Sequence, residues 1–142
     1  MILDKPHIID GGIAHDDRGH VAFCNDFSFS DVKRFYMISN REKHFIRAWH
    51  GHEHEAKYLL ATQGVFRIGA VHLETEETVV KYLNGDSPSV LYIPAGWANG
   101  IQNLTEENNL MIFSTSTIEE SLGDDTRFPW DKWDIWNTED YR

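Results

Sequence analysis

The chain is short of cysteine, of basic residues and of helical periodicity, and each shortage excludes something. Of its 142 residues one is cysteine, Cys24. No intrachain disulfide can form, and zinc sites built on two or four cysteines are ruled out. Lysine and arginine total 13 against 23 aspartates and glutamates, a formal net charge of -10. Nucleic-acid binding needs a concentrated basic surface, so no nucleic-acid partner is expected. No stretch approaches the ~18 consecutive apolar residues of a membrane helix, so no membrane association is expected. The opening MILDKPHIIDGG carries acidic and polar residues where a signal peptide would have an apolar core. These features set the expectation of a soluble cytoplasmic protein.

Aromatic residues make up 13% and hydrophobic residues 41% of the chain, richer than a disordered sequence would be. The length suits one domain, 1–142, able to bury roughly 68–70% of its unfolded surface. Short β-rich runs dominate: 20–24, 33–38, 45–50, 57–62, 65–73, 78–83, 90–93 and 110–116. Gln63-Gly64 reads as a hairpin turn, and Asn84-Gly85 favours positive φ. The one helix expected before the tail is 117–122. Regular short strands with so little helix predict an all-β antiparallel sandwich or barrel. The stretch Glu119–Arg142 differs: it holds eight acids, three basic residues, and Trp130, Trp133 and Trp136. Such aromatic content predicts an acidic C-terminal flap over the sheet rather than a free tail.

Histidine is the abundant chemistry. There are eight in all, and His44, His50, His52 and His54 fall within eleven residues. Alternation along a strand places His50, His52 and His54 on one face if the strand runs that far. Imidazole at that spacing serves either metal binding or proton transfer near neutral pH.

His50-Gly51-His52 resembles the paired histidines of the first cupin motif, and Gly64 falls on its closing glycine. Where that motif has a glutamate this chain has Lys57. Pro94-Ala95-Gly96-Trp97-Ala98-Asn99-Gly100-Ile101-Gln102-Asn103 resembles the second cupin motif, with Asn99 in place of its histidine. Two of four metal positions are thus replaced, one by a cation that repels a metal ion and attracts anions. The reading is proton transfer on an anionic substrate, with no metal and no cofactor.

Several segments resemble the nucleotide-sugar branch of the cupins, typified by dTDP-4-dehydrorhamnose 3,5-epimerase. They are Asp17-Arg18-Gly19, Arg47-Ala48-Trp49-His50, the run from Lys57 to Phe66, and Tyr92-Ile93-Pro94-Ala95-Gly96-Trp97-Ala98-Asn99-Gly100. Val32-Lys33-Arg34-Phe35-Tyr36-Met37-Ile38 and the His50/His52 pair resemble the related dTDP-4-keto-6-deoxyglucose 3,4-ketoisomerases. The resemblance implies a double-stranded β-helix (jelly roll) and a homodimer. It implies an isomerase or epimerase acting on a nucleotide-diphosphate sugar. His50 and His52 would be catalytic, and Arg18, Tyr36, Arg47, Lys57 and Asn99 would bind substrate. The epimerase's general-acid tyrosine falls near Phe113, which has no proton to give, and Asp140 is placed to orient His50. A non-catalytic sugar-nucleotide or carbohydrate-binding cupin and a metal-dependent cupin enzyme are the competing readings.

Overall fold

A computed structural model describes residues 5–136. Twelve strands and one short helix make up the described chain: β1 (His7–Ile9), β2 (Gly12–Asp16), β3 (Gly19–Phe23), β4 (Arg34–Ile38), β5 (Ile46–His52), β6 (Lys57–Gln63), β7 (Val65–His72), β8 (Thr78–Asn84), β9 (Val90–Ile93), β10 (Trp97–Asn103), β11 (Asn109–Ser114), α1 (Ile118–Leu122) and β12 (Thr126–Arg127). Two five-stranded sheets form, ordered β1-β9-β6-β11-β4 and β12-β5-β10-β7-β8, with β2-β3 as a separate hairpin. Every pairing is antiparallel. This is the expected jelly roll.

Alternation decides what each strand buries. In β11, Leu110 and Ile112 face the other sheet, whereas Phe113 lies against Phe27, Phe29 and Phe35 on the outer side. The core between the sheets is built from residues such as Leu59, Phe66, Ile68, Leu91 and Trp97, all essentially inaccessible. A second apolar cluster covers the outer face of the second sheet. There Trp49, Val71 and Ala98 pack with Trp136, flanked by Phe128, Trp133 and Ile135.

Two turn expectations need correction. Gln63-Gly64 is not a hairpin turn, because β6 and β7 belong to different sheets and do not pair. It is a corner where the chain crosses the sandwich, and Gly64 takes φ +81° there. Asn84-Gly85 is likewise a crossing, from β8 to β9. Gly85 is required by space rather than by φ, since a Cβ on it would sit 2.7 Å from the Gln63 backbone. Sequence reading missed β1, β2, β10 and β12. β10 is buried along its whole length, and its small and polar residues hide any alternation. α1 begins where a capping box signals it: Thr117 accepts from the Glu120 amide, and the Glu120 carboxylate accepts from the Thr117 amide.

Candidate active site

At one end of the sandwich the two sheets part around a cavity of about 250 Å³. Its floor and walls bring together Tyr36 from β4, Arg47, His50 and His52 from β5, Lys57 from β6, and Asn99 from β10. Ile38, Ile101 and Ile112 form the apolar part. Ser121, Leu122, Asp125 and Arg127, from α1 and the segment after it, close the mouth.

A β-bulge makes this convergence possible. His50 pairs with Asn99 and Ala48 with Gly100, so Trp49 is an extra residue on β5. Ala48 and Trp49 both pack on the outer cluster. Arg47, three residues before His50, would face the opposite side in a regular strand. The inserted residue turns it to the cavity side, as bulges do when they re-aim a side chain. The Arg47 Nε then donates to Asn40 Oδ1 at 2.6 Å. Gly100 leaves room for the arrangement, because a Cβ there would lie 2.6 Å from Ala48 Cβ and 2.9 Å from the Trp136 ring.

The two histidines have different surroundings. His50 is partly open, and its Nδ1 lies 3.4 Å from Asp125 Oδ1. Burial lowers its pKa below the ordinary imidazole value, and the Lys57 ammonium and Arg127 push the same way, against the Asp125 carboxylate. The imidazole is therefore neutral at neutral pH, the form that accepts a proton. Asp125 itself is held below the usual carboxylate range; burial works against this but is outweighed by Arg127 and His50. His52 is buried. Its Nδ1 lies 2.5 Å from the Asp124 carbonyl and 3.5 Å from Glu55 Oε1. Its Nε2 is buried with no partner among the described residues. Lys57 is buried too, its ammonium 5.9 Å from the Tyr36 ring centroid, while the Arg34 guanidinium lies 4.9 Å from the same ring.

Six of the seven site residues expected from the sequence therefore meet in one cavity, and Arg18 does not. It sits at the turn of the β2-β3 hairpin, 85% exposed and paired with Asp16 at 2.5 Å. His54 also leaves the face expected for it: β5 stops at His52, and His54 is exposed with its amide bound to Asp124. Phe113 points away from the cavity, so the β11 residue that lines it is Ile112. Asp140 lies outside the described residues, and among the described residues the carboxylate beside His50 is Asp125. Sequence reading passed over Glu55, Asp124, Asp125 and Arg127. The available signal was the doublet Asp124-Asp125 just past the Gly123 helix end, counted there only as part of an acidic tail.

The model of the FdtA family, described as WxcM-like, C-terminal, matches residues 4–125. The chain is 32% identical over 135 residues to the spore coat polysaccharide biosynthesis protein SpsL of Bacillus subtilis (strain 168), covering 87% of this chain and 89% of that one. Among solved structures it resembles a mutant of the 3,4-ketoisomerase QdtA from Thermoanaerobacterium thermosaccharolyticum in complex with TDP-4-keto-6-deoxyglucose. The TM-score is 0.71 at 22% identity, over 87% of this chain and 88% of that one. It also resembles dTDP-4-dehydrorhamnose 3,5-epimerase from Bacillus anthracis str. Ames with TDP and PPi bound. There the TM-score is 0.80 at 16% identity, over 96% and 89% of the two chains. The neighbours are thus sugar-nucleotide ketoisomerases and epimerases on the same jelly roll.

Proposed function

The chain belongs to the FdtA family, WxcM-like, C-terminal, and we propose that it is a metal-independent isomerase of a nucleotide-linked 4-keto-6-deoxy sugar, dTDP-linked as in its neighbours. The observation that carries this is the cavity itself, where two imidazoles stand beside Arg47 and Lys57 under an apolar wall. The donor set supports a metal-free route. A buried ammonium at Lys57 opposes a divalent cation in the same space, and Asn99 spends its amide on the His50 carbonyl at 3.4 Å.

The C3 hydrogen of such a sugar is acidic because the C4 carbonyl takes up the charge as an enolate. His50, neutral at rest, removes that proton. Lys57 and the Tyr36 hydroxyl stabilise the developing oxyanion. In a 3,4-ketoisomerisation His50 exchanges the abstracted hydrogen with solvent and delivers a solvent-derived proton to C4, while His52 passes the C3 hydroxyl proton to the C4 oxygen. The C3 oxygen is left as the ketone, and atoms and charge balance. Arg47 stands between the cavity and a surface groove lined by Ser39, Asn40 and Phe45, where a diphosphate can lie against its guanidinium. Ketoisomerisation is preferred over 3,5-epimerisation because β11 turns Ile112, not a phenol, into the cavity.

A cytoplasmic homodimer completes the reading. The β2-β3 hairpin pairs with neither sheet and exposes Val21 and Phe23. Arg18 at its tip would meet phosphate only at a partner's cavity. Incubation with dTDP-4-keto-6-deoxyglucose in D₂O, followed by proton NMR, tests the function. A 3-keto product carrying solvent deuterium at C4 is expected. Deuterium at C3 and C5 with inverted configuration would instead make it an epimerase. Binding without any exchange would make it a sugar-nucleotide holder, and activity lost to a chelator would overturn the metal-free route.

A further inference from the structure

Beneath His52 lies a carboxylate that the mechanism above does not use. Glu55 follows β5 in the loop to β6, and its side chain is wholly inaccessible. Both oxygens are engaged. Oε1 accepts from Ser121 Oγ at 2.7 Å and lies 3.5 Å from His52 Nδ1. Oε2 accepts from Ser114 Oγ at 2.5 Å and lies 3.7 Å from the Arg34 guanidinium. The carboxylate thus joins β4, β11 and α1 at one point directly behind the imidazole. Burying a charge is costly, and an apolar residue of similar size would close the same gap without that cost.

We propose that Glu55 is a positioning residue: with the Asp124 carbonyl it holds His52 as the Nδ1–H tautomer, leaves Nε2 as the cavity's second proton acceptor, and supplies the counter-charge when Nε2 is protonated. This rests on the reading of His52 as a proton-transfer group. The tautomer follows from hydrogen-bond chemistry. A backbone carbonyl can only accept, so the nitrogen 2.5 Å from it carries the hydrogen. The other nitrogen then holds the lone pair, and Nε2 is the ring atom without a partner among the described residues. Asp124 is fixed in turn. Its carboxylate accepts the amides of Glu53, His54 and Glu55 at 2.8–3.0 Å, clamping the loop that carries Glu55 against the segment that carries the carbonyl. When Nε2 takes the substrate hydroxyl proton, its new N–H bond leaves a full positive charge on a buried ring. His50 and Lys57 on the cavity side add no compensating negative charge, and Asp125 is engaged by His50 and Arg127. Among the described residues Glu55 is the carboxylate in ion-pair range of the ring, 3.5 Å from Nδ1, with its other oxygen turned to the Arg34 guanidinium.

Two measurements test this. The first is long-range ¹H–¹⁵N NMR of histidine-labelled wild-type protein without substrate, with His52→Asn used to assign the signal. A protonated Nδ1 and a bare Nε2 are expected for His52, and the reverse tautomer would overturn the proposal whether or not the enzyme is active. The second compares Glu55→Gln and Glu55→Asp on dTDP-4-keto-6-deoxyglucose. Glu55→Gln is expected to lower kcat by about 10- to 100-fold with KM within about twofold, within the range that one acid–base group contributes. Glu55→Asp, which keeps the charge, should recover part of that loss. Equal losses in both variants, tracking a lower melting temperature, would reduce Glu55 to a structural tie and sink the idea. Wild-type kcat in Glu55→Gln would sink it as well. If the wild type itself neither turned over nor exchanged hydrogen, the proposed function would fail while the tautomer result still stood.

Discussion

Replacing Trp136 with alanine should cost the protein about 2–4 kcal/mol of stability. The indole is 7% exposed and packs on Trp49 with ring centroids 5.2 Å apart. A buried Trp hides about 150–250 Å². At about 25 cal/mol per Å² that gives about 4–6 kcal/mol, less the part alanine would still bury. One feature reduces the net. The Trp136 Nε1 is buried with no partner among the described residues, a penalty of about 1–3 kcal/mol that the native state already bears. Phenylalanine keeps most of the contact and removes the stranded N–H, so Trp136→Phe should cost about 1 kcal/mol or less. Urea unfolding followed by far-UV circular dichroism measures both without depending on tryptophan emission. Losses of similar size in the two variants, or an alanine loss below about 1 kcal/mol, would refute the assignment of Trp136 to a second core. A loss confined to stability is not expected. The same cluster backs the bulge at Trp49, so the alanine variant should also lose turnover at temperatures where it remains folded.

The other expectations concern the cavity and its pH response. His50→Asn should abolish solvent deuterium incorporation next to the ketone while leaving the circular dichroism spectrum unchanged; wild-type exchange would remove His50 from the mechanism. The His50 pKa lies below the ordinary imidazole value, so activity that requires neutral His50 should persist into mildly acidic solution and fall as pH drops through that lowered value. Lys57→Met removes a cation and should move this acid limb to higher pH, whereas Asp125→Asn removes the opposing carboxylate and should move it lower. Shifts of the opposite sign would refute the charge assignment. Gly100→Ala should destabilise by about 1–3 kcal/mol through overpacking against Ala48 and Trp136, read as a lower urea midpoint. Arg18→Ala should leave the unfolding curve unchanged, since its ion pair with Asp16 is exposed and screened by solvent, yet raise KM if the hairpin reaches a partner's site.

Much of the architecture was legible because strand patterning is local. Leu110-Met111-Ile112-Phe113 alternates between the core and the outer aromatic cluster, and the spacing of His50 and His52 survives in the folded β5. What was not legible depends on events between strands. Nothing local marks Trp49 as an extra residue, because the bulge is defined against Asn99 and Gly100 about fifty positions later. Without it Arg47 belongs on the wrong face, and its place in the site came from resemblance rather than periodicity. β10 escaped for a related reason. Asn99, Gly100 and Gln102 show no strand alternation, but every one is buried and its backbone is paired on both sides. Asp124 and Asp125 were missed because α1 folds back over the cavity mouth, a return that composition cannot show.

That return also accounts for how an acidic chain can hold an anionic ligand. The net charge of -10 describes the whole surface, but exposed charges are screened beyond about 8 Å at physiological ionic strength. Within the cavity the balance is local. Arg47, Lys57 and Arg127 line it against the carboxylate of Asp125, which already pairs with Arg127 at 3.1 Å and lies 3.4 Å from His50. Two cations are therefore left for the diphosphate and the enolate of the proposed substrate. Glu55 and Asp124 keep their oxygens turned into the protein, on serine hydroxyls and backbone amides. The fold thus separates two kinds of acid: those spread over the surface, where solvent and salt weaken them, and those placed behind the histidines with their oxygens turned away from the cavity, where the role proposed for Glu55 is on the ring and not on the ligand.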